Sequence, residues 1–336
     1  MRKLTLFAMV LIGLVSCKQE PKDYVSFSGK ITNKNSNALT ITNRAGYKKV
    51  IEVAEDGSFK DTLKVEKGVY NLFDGKEYTS IFFKNGDDIK MTIDTKEFDE
   101  TIAYTGAGSE ENNFLAKSAL LREGFFNDEN LLKLPKVEFD SKVTGYVNDF
   151  KSLLSAKKLE ESFVKNQEES IENFKQYVNR NYEQEQYIKT NLAQGKLSPK
   201  FVDYENNAGG TTSLEDLKGK YVYIDVWATW CKPCKNEIPH LKKVEKEFHD
   251  KNIEFVSISI DNKKDHEAWK KMIVDKEMVG VQLFADNNWQ SKFVTDYAIN
   301  GIPRFILIDP EGNIVDARAP RPSDAKLLDL LKSLNI

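Results

Sequence analysis

Apolar and polar positions alternate with a period of two over residues 24–104, and the period then changes to about 3.6. In the first stretch, runs rich in β-branched and aromatic residues recur at 25–28, 38–42, 50–53, 78–83 and 89–93. Asp56-Gly57, Asp74-Gly75 and Asn85-Gly86 separate them, and such pairs mark tight turns between strands. An all-β unit, an antiparallel sandwich or barrel, is expected. Past the small-residue break Thr105-Gly-Ala-Gly-Ser109, helices are predicted over 113–123, 141–154 and 162–192, with Ser109 and Ser170 as helix-start chemistry. In the last of these, Ile171, Phe174, Val178 and Tyr182 fall on one face. Packing within the chain is the plain reading of that face, and self-association the sharper one. After Gly195-Lys-Leu-Ser-Pro199, strands are expected at 221–226, 253–260 and 281–284, with helices at 265–276 and 289–297. A hairpin over 305–317 turns at Asp309–Asn313, and a closing helix to 334 is capped by Ser323. Strands alternating with helices and ending in a hairpin make an α/β unit with a mixed sheet.

These shifts divide the chain into residues 1–17, 18–106, 107–195 and 196–336. Arg2 and Lys3 precede an apolar run over 4–15, the build of a secretory signal peptide and short for a membrane span. It ends Leu14-Val-Ser-Cys17, which resembles the lipobox of bacterial lipoproteins. The resemblance implies that Cys17 is acylated and becomes the mature N-terminus, and several acyl chains at about 0.8 kcal/mol per CH₂ hold a protein stably at a membrane. Lys18 after the cysteine leans towards the outer membrane. An ordinary signal peptide is the alternative.

Of the 336 residues, 40% are hydrophobic and 30% charged, which is a globular composition with room for more than one domain. The net charge of −3 and the lack of a basic stripe exclude nucleic acid as an expected partner. There are three cysteines, Cys17, Cys231 and Cys234. With the first assigned to the leader, a single close pair remains, which suits exchange chemistry rather than a stapled framework.

That pair lies where a strand hands over to a helix. Residues 221–226 are β-branched and aromatic, and after Cys231-Lys232-Pro233-Cys234 the apolar Ile238, Leu241, Val244 and Phe248 recur at helical spacing. The first turn of a helix has unpaired N–H groups and partial positive charge, which stabilise a thiolate at Cys231 by up to about 2 kcal/mol. Pro233 is tolerated there because no helical hydrogen bond is lost. Cys234, one turn in, is close enough to attack a mixed disulfide on Cys231.

Asp225-Val-Trp-Ala-Thr-Trp-Cys-Lys-Pro-Cys234 resembles the active-site strand and turn of the thioredoxin superfamily, and with Lys235-Asn-Glu-Ile-Pro239 it is similar to the TlpA/ResA-like thiol–disulfide oxidoreductases. Ala298-Ile-Asn-Gly-Ile-Pro-Arg304 is a second signature in the right order. The resemblance covers about the last 140 residues. It implies a thioredoxin-like α/β domain, a cis Ile302-Pro303 bond in a loop that faces the dithiol, and Asp225 as a buried acid that exchanges a proton with Cys234. Glu237 matches the acid that this branch carries near the dithiol. On a helix, positions three apart share a face, so Glu237 and Cys234 are expected as neighbours. Trp230 covers the nucleophile or meets substrate, Trp227 packs, and Lys232 adjusts the potential, where about 30 mV is worth 1.4 kcal/mol. Substrate is expected along Trp230, Lys232, Pro233, Ile302 and Pro303. For Asp225 the alternative is a polar strand end, and for Glu237 an exposed helix position. Arg304 departs from the threonine of many thioredoxins. The β-rich module resembles those found ahead of thioredoxin domains in envelope lipoproteins; its Tyr70, Phe73 and Tyr78 are read as core rather than as a docking surface.

The expected activity is thiol–disulfide exchange with envelope proteins, in the periplasm at a lipid anchor. Electrons would come from a membrane reductant, and cytochrome c maturation is one candidate task. No cofactor or metal is expected: zinc wants four ligands, and His240 and His249 are spaced unlike a finger. The alternatives are a partner-binding lipoprotein with an accessory redox domain, an isomerase, and a thiol peroxidase. Peroxidases need P-x-x-x-T-x-x-C, and this frame puts Trp227 and Cys231 where proline and threonine belong.

Overall fold

The computed structural model describes residues 22–334 and residue 336. The leader, with Cys17, lies outside the described residues. The chain forms two compact units, Met1–Tyr177 and Val178–Ile336.

The first unit contains β1 (Val25–Thr32), β2 (Ala38–Thr42), β3 (Lys48–Glu52), β4 (Ser58–Leu63), β5 (Gly68–Phe73), β6 (Tyr78–Phe83), β7 (Asp88–Asp94) and β8 (Ala103–Ala107). They build two four-stranded sheets, ordered β4-β1-β7-β8 and β3-β2-β5-β6. The alternating apolar side chains of both sheets, Val25 and Phe27 on one and Leu39 and Ile41 on the other, meet in one core, the packing of a sandwich. The expectation of an antiparallel fold fails at one place, because β1 and β7 are parallel. The cause lies in the turns. Asp74-Gly75 closes a true hairpin between β5 and β6. Asp56-Gly57 and Asn85-Gly86 instead carry the chain from one sheet to the other. Gly57 must be glycine: its φ is +84°, and a Cβ there would meet the Ile31 carbonyl oxygen at 2.0 Å. Strands β4, β5 and β8 were not read from the pattern. Tyr70 is core at 3% exposure, whereas Tyr78 is 68% exposed and stacks on Phe73.

The short α1 (Phe98–Thr101) is followed by α2 (Ser109–Phe126), α3 (Lys136–Ser155) and α4 (Glu161–Asn191), whose last part belongs to the second unit. Ser170 is interior to α4 rather than a start. Two adjacent asparagines of α2 clip the open edges of the sandwich. The Asn112 side chain accepts from Phe82 N–H (2.7 Å) and donates to Phe82 C=O (3.0 Å) on β6. Asn113 does the same to Tyr104 on β8, at 2.9 and 2.8 Å. Each amide thus stands in for the missing neighbour of a terminal strand. Asn112 is fully buried, so Asn112→Ala strands a peptide group without water and is expected to destabilise the unit by about 2–3 kcal/mol, read from urea unfolding midpoints.

The second unit holds the end of α4, then β9 (Tyr204–Asn206), β10 (Thr211–Thr212), β11 (Tyr221–Trp227), α5 (Lys232–Glu247), β12 (Ile253–Ser259), α6 (His266–Asp275), β13 (Val281–Phe284), α7 (Lys292–Asp296), β14 (Arg304–Ile308), β15 (Ile314–Asp316) and α8 (Ala325–Ser333). They form a thioredoxin-like domain around a seven-stranded mixed sheet ordered β10-β9-β13-β12-β11-β14-β15. β11 lies inside it, parallel to β12 and antiparallel to β14. Its residues alternate between two cores. Val222, Ile224 and Val226 face a cluster with Trp269 of α6 and Phe293 of α7. Tyr223 faces one with Leu241 and Val244 of α5 and Leu327 of α8. Asp225, two positions on, shares the Tyr223 face. The cap of α8 is Asp324, which accepts from Lys326 N–H, and not Ser323.

Candidate active site

The strand-to-helix handover places both cysteines at the start of α5. Cys231 is its N-cap, and its sulfur accepts from Cys234 N–H at 3.1 Å, so one orphan donor of the helix already points at the sulfur. Cys231 and Cys234 are joined in a disulfide with their Cα atoms 5.3 Å apart. Both are largely covered, and unequally: Cys231 keeps 4% of its surface and Cys234 1%. Cys231 is the less buried of the two. Trp230 beside it is 53% exposed, with its ring 6.4 Å from that of Trp289. Lys232 and Pro233 are exposed, and Trp227 is buried.

The Ile302–Pro303 peptide is cis. Val226 near the end of β11 pairs with Arg304 at the start of antiparallel β14, so the Pro303 loop lies at the same end of the sheet as the dithiol turn. Ile302 packs on the cluster that contains both cysteines. The turn itself is tethered from β12. Asp261, 1% exposed, accepts from Thr229 N–H (2.9 Å), Thr229 Oγ1 (2.8 Å) and Ser259 Oγ (2.8 Å).

Beneath the turn lies a group of acids on the α5 face. Asp225 is buried, and its Oδ1 has no hydrogen-bond partner among the described residues. Burial, with the negative charges of Glu237 and Glu245 adding to it, pushes its carboxyl up to about 8. Glu245 is itself pushed up to about 7 by burial, against the pull of Lys242. Glu237 is buried rather than exposed; it accepts from Ser323 N–H and Ser323 Oγ, both at 2.9 Å, with Arg321 at 3.9 Å. Its carboxylate is thus spent on holding the segment before α8, and it reaches the site as charge felt by Asp225.

The structure brings Cys231, Cys234 and Trp230 into one turn, with Asp225 on the strand that leads into it and Ile302 and Pro303 at the same end of the sheet. Sequence reasoning missed Asp261, Trp289, Glu245 and the Ser323 contact. Asp261 carried a signal, an acid at the end of the strand parallel to β11, where loops at strand C-termini gather. The others carried none, because their partners are far along the chain.

Residues 195–317 match the AhpC/TSA family. The thiol-disulfide oxidoreductase ResA of Bacillus subtilis (strain 168) is 33% identical over 129 residues, 38% of this chain and 68% of that protein. The thioredoxin-like protein YneN of the same organism is 30% identical over 125 residues, 37% of this chain and 71% of YneN. Among solved structures, the thioredoxin domain of a thiol-disulfide oxidoreductase from Bacteroides vulgatus is 32% identical and covers 43% of this chain and 99% of that one, with a TM-score of 0.39. From the matched relatives and the joined cysteine pair it follows that the chain belongs to the ResA-like thiol–disulfide oxidoreductases of the thioredoxin-like AhpC/TSA family.

Proposed function

We propose that this oxidoreductase exchanges disulfides with other envelope proteins through Cys231 and Cys234. The observation that carries this reading is the disulfide at the N-cap of α5, with Cys231 the less buried of its two residues and a buried acid on the strand that leads into it. In the reductive direction Cys231 thiolate attacks a substrate disulfide, forms the mixed disulfide and releases one substrate thiolate, which takes a proton from water. Cys234 then gives its proton to the Asp225 carboxylate and attacks Cys231 Sγ. The second substrate thiolate leaves, and the Cys231–Cys234 disulfide remains. Two electrons have passed to substrate, and a membrane reductant restores the dithiol. The oxidative direction is the same path reversed. Trp230, Lys232, Pro233, Ile302 and Pro303 form the surface on which substrate lies.

The reduction potential of the couple decides the direction: a value near −270 mV makes the protein a reductant, and one near −120 mV an oxidant. A fall in covalent haem attachment in a strain lacking the protein supports cytochrome c maturation as the task; unchanged attachment removes it. Lipid anchoring at Cys17 and an outer-membrane, periplasm-facing location are tested by Cys17→Ala, which should move the protein from the membrane to the soluble envelope fraction.

Glu237 is assigned the tuning of Asp225. Glu237→Gln removes a negative charge that raises the Asp225 carboxyl, so the activity limb set by Asp225 should move to lower pH. A pH–rate profile that stays in place counts against the assignment.

The AhpC/TSA match favours a peroxidase as second reading. The positions that would activate peroxide hold Trp227 and Cys231, so peroxide consumption by the reduced protein should be negligible.

A further inference from the structure

The loop that runs into Pro303 is held from outside the family-matched segment. Ala298 has a φ of +49°, a left-handed conformation unfavourable for a non-glycine residue. Its carbonyl accepts from Gln184 Nε2 at 2.6 Å, and Asn300 Nδ2 donates to Gln184 Oε1 at 2.7 Å. One side-chain amide thus uses both its ends on one loop, which also fixes the assignment of its oxygen and nitrogen. Tyr187 OH donates to Asp296 C=O at 3.0 Å, just before the loop, and Glu185 pairs at 2.6 Å with Arg318. Glu185 and Arg318 also act on the half-buried Arg304 that follows Pro303, from opposite signs of charge. All three α4 residues precede position 195, where the family match begins. Among the described residues, no peptide group of 300–302 takes part in a main-chain hydrogen bond. The stretch is therefore open for pairing with a substrate backbone, and its shape rests on side chains.

We propose that Gln184 is a positioning residue for substrate: the last turns of α4 hold residues 298–303 in the shape on which a protein disulfide docks. This rests on the exchange mechanism proposed above and adds the element that gives the loop its order. Gln184→Met keeps the volume and removes both hydrogen bonds. With insulin as substrate and dithiothreitol as reductant, this variant should raise KM about tenfold with kcat unchanged, the effect of two modest hydrogen bonds. Asn300→Ala cuts the brace from the loop side and should give a smaller rise of the same kind. Turnover of a small disulfide such as oxidised glutathione, too short to lie along the loop, and the Cys231/Cys234 potential should both stay at wild-type values. An unchanged KM for insulin overturns the proposal. So does an equal loss with the small disulfide or a shifted potential, which would make Gln184 a support of the fold alone. Wild-type protein inactive on both substrates would instead sink the exchange mechanism, and the brace with it.

Discussion

Cys231→Ser should lower disulfide turnover about a thousandfold or more, since the hydroxyl that replaces the thiolate is not a nucleophile at neutral pH. Cys234→Ser should differ in kind. The more accessible Cys231 still attacks, but nothing resolves the product, and a mixed disulfide with substrate accumulates. Insulin reduction measures the first effect; non-reducing electrophoresis and intact mass measure the second. Both follow from the N-cap position of Cys231, where the Cys234 N–H already points at the sulfur, and from Cys231 being the less buried residue of the pair. If the serine variant of Cys231 keeps wild-type turnover, or if Cys231→Ser traps substrate and Cys234→Ser does not, the order of attack proposed here is wrong.

The second large effect is Asp225→Asn. The folded protein pushes this carboxyl up to about 8 from its ordinary value of 3.8. Between those pH values the native state holds a proton that the unfolded chain has given up, so stability falls as pH rises through the window. Asparagine carries no such cost. The variant should therefore match the wild type near pH 4 and exceed it by roughly 5 kcal/mol at pH 8, measured as urea midpoints at the two values. Glu245, raised in the same direction to about 7, should leave a residual slope of the same sign in the variant. Activity should move the other way. Without a base to take the Cys234 proton, turnover should drop by about a hundredfold and lose its pH limb near 8. A variant no more stable at pH 8 than the wild type would mean that Asp225 is not the costly buried acid described above.

Much of the fold was legible in local chemistry. β2 was read to its observed ends, Ala38–Thr42, and β13 likewise at Val281–Phe284, because alternation and bounding turn residues act within a few positions. β4, β5 and β8 were missed: β4 buries only Phe59 and Leu63, β8 only Tyr104, and β5 exposes the apolar Val69, so none of them alternates cleanly. The turn pairs were recognised, but not which of them close hairpins. Asp74-Gly75 does, while Asp56-Gly57 and Asn85-Gly86 switch sheets and so make β1 and β7 parallel. A turn dipeptide fixes the reversal of the chain, and the sheet that the next strand joins depends on where its apolar face is buried.

By itself the sequence settled the change of period from two to 3.6, and the placing of Cys231-Lys-Pro-Cys234 at a strand's end and a helix's start, since both are matters of backbone preference over a few residues. Only the tertiary structure decided what surrounds those sulfurs. Glu237 meets Ser323 across 86 positions of chain, Asp261 holds Thr229 across 32, and Gln184 holds Ala298 across 114. The same structure decided that Asp225 binds its proton more tightly than a free carboxyl does, because that affinity is set by how completely neighbours exclude water and by which charges they bring close, and the order of residues along the chain records neither.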